Sequence, residues 1–506
     1  MTNDSSYKTF TQESGGRAGI LFLLFLIAMY SMYTSGIAGL AIVSMIPVMV
    51  IGCYLVMKYD MFLFYILLVV NYFLHFINRY GYMPPIPMSL PNELIELMLI
   101  AVAMMKFKHS HLKHTFNVMA LALGIWVVFC CLEVFNDQCG LGIDVANWFT
   151  GTRLMAFQLV YPFIVFTLFI DSPEKIEKLL YALVILSVIG ALWAFKQREI
   201  GFTTAEKSFL LYAARTHIVN GVTRYFSIFS DAANFGIHMA SISIVFILYA
   251  ITTPLIRKKI LFGIVGALCV WAMFLSGTRT SIFCLFAGLG TYMFLSKSIK
   301  IVVPFSIFFA MFVFIMAFTT IGNSNSSIRR MRTAFNRNDA SLGARDYNKA
   351  ALRKYMVDAP WGIGIGKESA DVPAYNKFKI VSQIPPDSEY VYIWVRTGKI
   401  GITVFVITTI LMFLGACWNV LFRIKNKSLC GIGAGFTCAF VSIHLGGYAN
   451  QILMQFPNVI IFYGGLSLVY ILPYLDKEYT EWENKLLAEQ EERKRLKLEK
   501  KRASRV

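Results

Sequence analysis

The chain has 506 residues, 57% hydrophobic and only 15% charged, with 47 Lys and Arg against 29 Asp and Glu. A soluble domain carries about 25% charged residues, so a water-soluble globular enzyme is excluded. The net charge of +18 invites a nucleic-acid reading, yet from Arg493 to Val506 eight Lys/Arg face Glu499 alone and supply +7 of that total. In a membrane protein such an excess marks the cytoplasmic side and attracts anionic lipid. Membrane lipids, and no nucleic acid, are the expected partners.

In chain order, about sixteen polar residues precede the first apolar run, and no small-residue cleavage site follows it. It reads as an uncleaved first span. Apolar runs of bilayer length then fall near 20–36, 38–57, 60–77, 92–106, 116–135, 154–170 and 179–195. Others lie near 235–254, 260–275, 281–296, 302–320, 400–421, 430–446 and 459–473. These predict an all-α polytopic transmembrane helical bundle of 12–14 spans. No period-2 alternation points to a membrane barrel. Of nine cysteines, eight fall in apolar segments and Cys139 in a loop, and no CxxC pair occurs. Neither a disulfide framework nor a zinc site is indicated.

Charge sets the expected orientation. With the N-terminus inside, the inside loops hold Lys58, Lys106 to Lys113, Lys175, Lys178, "RKK" at 257–259, Lys297, Lys300 and "RIKNK" at 423–427. That bias is the one that fixes topology. Four regions follow: transmembrane helices over 1–320, a large and partly helical external loop over 321–399, C-terminal helices over 400–475, and a basic cytoplasmic tail over 476–506. A loop of that length is functional or disordered, and its aromatic and glycine motifs favour function.

Arginines on the external side run against the bias, and a guanidinium matches phosphate oxygens in a fork. Arg153, Arg224, Arg279 and a group at 329, 330, 332, 337 and 345 all lie there. Arg224 and Arg279 each sit within a few residues of a span end, where two such groups can bracket a diphosphate; pairing with an acid such as Asp231 is the structural alternative. "GIGIG" at 362–366 resembles a phosphate loop only superficially, because it follows a helix instead of a strand. A turn beside lipid or sugar is the expectation there. His109, His111 and His114 among lysines read as a solvated juxtamembrane face, and His75, His238 and His444 as satisfied packing residues. Glu133 is expected to pair with Arg153.

Four stretches in order carry a family resemblance: Arg224 with "FSIFSDAANFG", then "LSGTRTSIF", "GARDYNKAALRKYMVDAPWGIGIG" and "DSEYVYIWVRTGKIGI". Together they resemble the O-antigen ligase and polymerase family, over roughly 200–402 by motif and elsewhere by span pattern. The resemblance implies a membrane glycosyltransferase with a GT-C type architecture, independent of metal and needing no cofactor, in the bacterial inner membrane with its active side periplasmic and both termini cytoplasmic. It implies a glycan on undecaprenyl diphosphate as donor, and lipid A-core or another glycan hydroxyl as acceptor. Arg224, Arg279 and Arg345 would hold the diphosphate. Where ligases carry a histidine before the re-entering span, this chain reads "PPDSEY", so Asp387 or Glu389 would act as base; His217 is the one histidine in an external loop. Asp387 has an alternative reading as a helix N-cap.

Ligase and polymerase share this donor and differ in acceptor. The departure at the histidine weakens the ligase reading. A transporter for an anionic solute should place charge or broken helices at span midpoints, and these spans are nearly free of midspan charge. An envelope scaffold recruiting partners through the basic tail is a third class.

Overall fold

The computed structural model describes residues 61–81, 87–106, 113–219, 221–296, 298–324, 326–332 and 340–503, with isolated positions between 25 and 58. The expected spans at 20–36 and 38–57 fall largely outside these residues. The chain divides into residues 1–64 and residues 65–506, and the second unit carries the candidate site.

The helices are α1 (Phe62–Arg79), α2 (Leu90–Lys106), α3 (Val118–Leu132), α4 (Val145–Phe169), α5 (Pro173–Glu199) and α6 (Thr204–His217). A two-stranded hairpin follows, β1 (Ile218–Val219) with β2 (Val222–Thr223), pairing Ile218 with Thr223. Then come α7 (Ala232–Thr252), α8 (Ile256–Leu275), α9 (Arg279–Ser296), α10 (Ile299–Phe318), α11 (Ser326–Arg332) and α12 (Ala340–Met356). The last are α13 (Lys379–Gln383), α14 (Glu389–Trp418), α15 (Lys427–Ala449) and α16 (Gly464–Ala503). Among the described residues, nine helices are long and apolar enough to cross a bilayer, and Val302–Phe318 is a shorter apolar one. The protein is an all-α polytopic membrane protein.

Helices start where side-chain acceptors satisfy their free N–H groups. Asn117 caps α3, Asp144 α4, Asp231 α7, Ser388 α14 and Asn426 α15. Four spans differ from their hydropathy limits. α4 begins at its Asp144 cap and reaches the expected span through a π turn at Arg153–Phe157. α5 begins at Pro173, where the apolar run suggests 179. α14 begins at Glu389 and kinks at Gly398, whose φ is +67°. α16 continues to Ala503, because charge ends a membrane span without ending a helix.

α7 and α15 lie at the centre and are mostly buried, packed on each other and on α8 and α9. Small residues permit this: Ser241 and Ser442 share a hydrogen bond of 2.8 Å, and a Cβ on Gly435 would stand 2.9 Å from Val245 Cα. Close approach of this kind replaces the hydrophobic drive that lipid cannot supply. Outer helices stay apolar on their open face. Leu121, Ile125, Val128 and Leu132 form an exposed stripe on α3, and Ile407, Ile410, Leu414 and Trp418 another on α14. Such stripes are stable against hydrocarbon and unstable in water.

The connections sort into two sets. At one end Lys258 pairs with Glu177 (2.8 Å), Tyr479 donates to Glu177 (2.8 Å), and Asp476 accepts the backbone N–H of Lys425 (3.0 Å). At the other end the segments 136–144, 200–231, 276–278, 319–388 and 450–458 bond to one another.

Candidate functional site

The site is built on the turn between α8 and α9. Gly277 takes φ +57°, a left-handed conformation open to glycine at little steric cost. Ser276 Oγ donates to Met273 O (2.7 Å) and accepts the N–H of Thr278 (3.1 Å), which closes the turn. Thr278 Oγ1 donates to Ala232 O (2.8 Å) at the head of α7. Gly236, one turn further along α7, leaves room for the turn: a Cβ there would lie 2.8 Å from Ser276 Cβ and closer still to Oγ. Two of the four motifs therefore form one interlocked unit.

Arg224 lies across this unit. The hairpin sets its backbone, with its N–H on His217 O (2.8 Å). Its guanidinium donates to Thr216 O (2.7 Å), Thr278 Oγ1 (2.9 Å) and Ser276 O (3.4 Å). Arg330 on α11 reaches the same turn and donates from Nε to Gly277 O (2.8 Å). Arg279, half-buried, is the first residue of α9, and Arg345 stands on α12. Burial above all, together with the charges of Arg330, Arg279 and Arg345, lowers the Arg224 pKa from 12.5 to about 10, while Asp231 opposes them. At neutral pH Arg224 remains a cation. Three other guanidiniums thus act on Arg224 at one end of the bundle, and a group of cations of this kind suits an anion with more than one charge.

The turn before α7 is held from behind. Ser227 adopts φ +53°, with its N–H on Gln197 Oε1 (2.9 Å) and its Oγ on Gly190 O (2.6 Å). Arg79 donates to the carbonyls of Ser227 (3.2 Å), Phe229 and Ser230, and its guanidinium lies over the Phe226 and Phe209 rings at 4.4 and 4.7 Å. Asn234 donates to Phe456 O (2.9 Å) and accepts from Asn458, which also bonds His238 Nδ1 (2.8 Å). Arg79 and Asn458 carry no local motif; only the fold reveals them.

The sequence candidates for a base occupy different surroundings. His217 is buried between the Phe209 and Phe226 rings, each 5.3 Å away, and its Nε2 accepts the N–H of Ala232 (3.3 Å). Burial lowers its pKa, keeping the ring neutral and able to accept. Glu389 is buried at the first turn of α14, where its carboxylate accepts the backbone N–H of Leu453 (3.0 Å). It ties α14 to the 450–458 segment. Asp387 is half-buried and open to a cleft lined by Arg345, Asn348, Lys349 and Tyr448, and it accepts from Asn348 Nδ2 at 3.0 Å. Its alternative reading as a cap is overturned: Ser388 caps α14, accepting the N–H of Val391 at 3.2 Å. Of the three, Asp387 alone shares a cleft with a member of the arginine group.

"GIGIG" serves backbone packing. Ile363 and Gly364 donate to the carbonyls of Val395 (2.9 Å) and Arg396 (3.0 Å), and a Cβ on Gly362 would stand 2.5 Å from Gly398 N. Gly366 abuts Asn147 on α4. Leu352, Met356, Ile363, Phe378 and Val381 close a small core over Cys139. This core seats α12 on the membrane helices.

Other expectations resolve individually. Arg153 pairs with Glu93 at 3.4 Å, and Glu133 accepts from Asn136 instead. His238 and His444 are satisfied by Tyr72 (2.7 Å) and Tyr390 (2.9 Å), whereas His75 Nε2 is buried without a hydrogen-bond partner. His114 stacks on Tyr474 at 4.0 Å. His109, His111 and Arg337 lie outside the described residues. The eight described cysteines are free thiols.

Residues 262–406, from α8 through the first turns of α14, match the family model described as O-antigen ligase. The match contains the α8–α9 turn and α12 and begins well after Arg224. No curated protein matches the chain.

Proposed function

We propose, from the match of residues 262–406 to the O-antigen ligase family model, that the protein acts in glycan transfer by the following reaction. The protein transfers a glycan from undecaprenyl diphosphate to a sugar hydroxyl of lipid A-core, at the periplasmic face of the inner membrane. The observation that carries this reading is the seating of Arg224 and Arg330 on the "SGTRTS" turn that contains Arg279, with the charge of Arg345 also acting on Arg224. When the acceptor oxygen attacks the anomeric carbon, the bond to the diphosphate breaks and its electron pair stays on the departing phosphate. Cations fixed by the fold stabilise that growing charge more than the bound donor. Arg224 is held by three protein acceptors, so little reorganisation accompanies the step.

Asp387 is the proposed base. Its carboxylate lies in the cleft that Arg345 also lines, and removal of a hydroxyl proton beside the diphosphate is the role it would fill. No metal enters the scheme. A second reading, a polymerase joining repeat units on the same carrier, is favoured by "PPDSEY" where ligases carry a histidine.

Deletion of the protein followed by gel analysis of surface glycan separates the readings. Loss of glycan on lipid A-core with accumulation of full-length lipid-linked polymer supports the ligase. Single repeat units indicate the polymerase. Unchanged glycan refutes both.

A further inference from the structure

A groove of about 400 Å³ opens between α14 and α15 on the outer face of the bundle. Ile410 and Phe413 line it from α14, and Phe440, Val441 and Leu445 from α15. Its wall is mainly apolar: Thr409 contributes one hydroxyl, and His444, at its side, spends Nδ1 on Tyr390 (2.9 Å) and Nε2 on Tyr463 (3.4 Å). Ile410 and Leu445 are exposed, so the groove is open along the side that faces hydrocarbon. The volume falls within the range of small-ligand sites, roughly 300–1,000 Å³.

The upper end distinguishes this groove from an ordinary gap between helices. Tyr448 belongs both to the groove and to the polar cleft of Arg345, Lys349 and Asp387. Lys349 Nζ lies 4.7 Å from the centre of the Tyr448 ring, placing a cation at the apolar mouth. Arg345, in the same cleft, is close enough to Arg224 to act on its charge. The apolar groove thus adjoins, through Tyr448, a polar cleft that carries Arg345 and Lys349. That sequence of surfaces fits one molecule with a long hydrocarbon chain and an anionic head.

We propose that the groove between α14 and α15 holds the isoprenoid chain of the lipid diphosphate donor next to its head, with Lys349 and Tyr448 marking where chain gives way to diphosphate. This rests on the donor class given under the proposed function and adds where the chain lies. An acyl chain of a bulk phospholipid is the competing occupant.

Val441→Trp fills the groove without touching the cleft. Binding of undecaprenyl diphosphate and of geranyl diphosphate, which has only two isoprene units, is measured by isothermal titration on the purified full-length protein. The expected result is at least a tenfold weaker Kd of Val441→Trp for undecaprenyl diphosphate, with the Kd for geranyl diphosphate changed by less than twofold. Leu445→Trp should repeat the pattern. Unchanged long-chain binding in both variants overturns the placement and leaves the donor class standing, as does an equal loss for both ligands. Displacement of undecaprenyl diphosphate by an equimolar amount of phosphatidylglycerol also overturns it, assigning the groove to bulk lipid. Wild-type protein binding neither diphosphate refutes the donor class itself, and the placement with it.

Discussion

Thr278→Val removes one hydroxyl from the centre of the site and keeps the shape of the side chain. Thr278 Oγ1 accepts from Arg224 Nη2 at 2.9 Å and donates to Ala232 O at 2.8 Å, and the residue is 4% exposed. A hydrogen bond to a charged group contributes about 1.5–3 kcal/mol, and a buried acceptor left bare costs about 1–3 kcal/mol. The second loss falls on folding and lowers Tm. The first frees the guanidinium, which keeps its contacts to Thr216 O and Ser276 O. Partial loss of one fixed cation should therefore fall below the roughly 10²–10³-fold effect of deleting a preorganised donor. We expect kcat for glycan transfer to fall about 10–100-fold, equivalent to ~1.4–2.8 kcal/mol of barrier, with KM for donor little changed. Thr278→Ser keeps the hydroxyl and should recover most of the rate. A Thr278→Val protein with lowered Tm and wild-type kcat would refute the idea that Thr278 sets Arg224. A Thr278→Ser protein as slow as the valine variant would show that the hydroxyl alone does not set the rate.

Four other outcomes follow from the geometry. Gly236→Ala drives a methyl group into Ser276, and overpacking of this kind costs about 1–3 kcal/mol; a clear fall in Tm is expected, and an unchanged Tm would mean the turn is not seated on α7. Asp387→Asn should slow turnover while donor Kd stays within twofold, whereas Ser388→Ala, which removes the cap, should lower Tm by an amount near 1 kcal/mol; wild-type turnover for Asp387→Asn would leave the base elsewhere. His217 is neutral when it accepts from Ala232, and burial holds its folded pKa below 6.5. The unfolded chain therefore binds more protons below about pH 6.5, so stability is full above that pH and declines as pH falls towards the folded pKa. In Tm measured from pH 7.5 to 5, His217→Gln should flatten that decline, and an equal slope in both proteins would remove His217 as its source.

Much of the site can be read locally. Arg224 and Arg279 stand out because lone cations on the expected outer side oppose the positive-inside bias, and "SGTRTS" forms the turn its small residues suggest. What local sequence hides is orientation around a helix. Arg329, Arg330 and Arg332 look equivalent, yet successive helical positions lie about 100° apart. Arg329 and Arg332 turn back to the carbonyls of Asn323 and Ile321, and Arg330 alone of these three reaches Gly277. Register matters equally at "DSE": three adjacent polar residues divide into Asp387 in the cleft, Ser388 as cap and Glu389 as a buried anchor for the 450–458 segment. "GIGIG" misleads for a long-range reason, since its glycines answer to Arg396 and Gly398 some thirty residues on. The pairing of Arg153 with Glu93 in place of Glu133 depends likewise on α2 packing against α4, which no spacing encodes. Hydropathy finds the apolar cores of the spans and misses the polar turns by which α4, α14 and α16 extend beyond them.

The central claim is that fixed guanidiniums at the α8–α9 turn draw off a lipid diphosphate during glycan transfer. Its most direct test is single-turnover transfer by purified protein in lipid nanodiscs, with saturating undecaprenyl diphosphate-linked glycan, comparing wild type with Arg279→Ala. Release of undecaprenyl diphosphate should slow by about 10²-fold or more while the variant remains folded and embedded. Release at the wild-type rate from folded Arg279→Ala would contradict it.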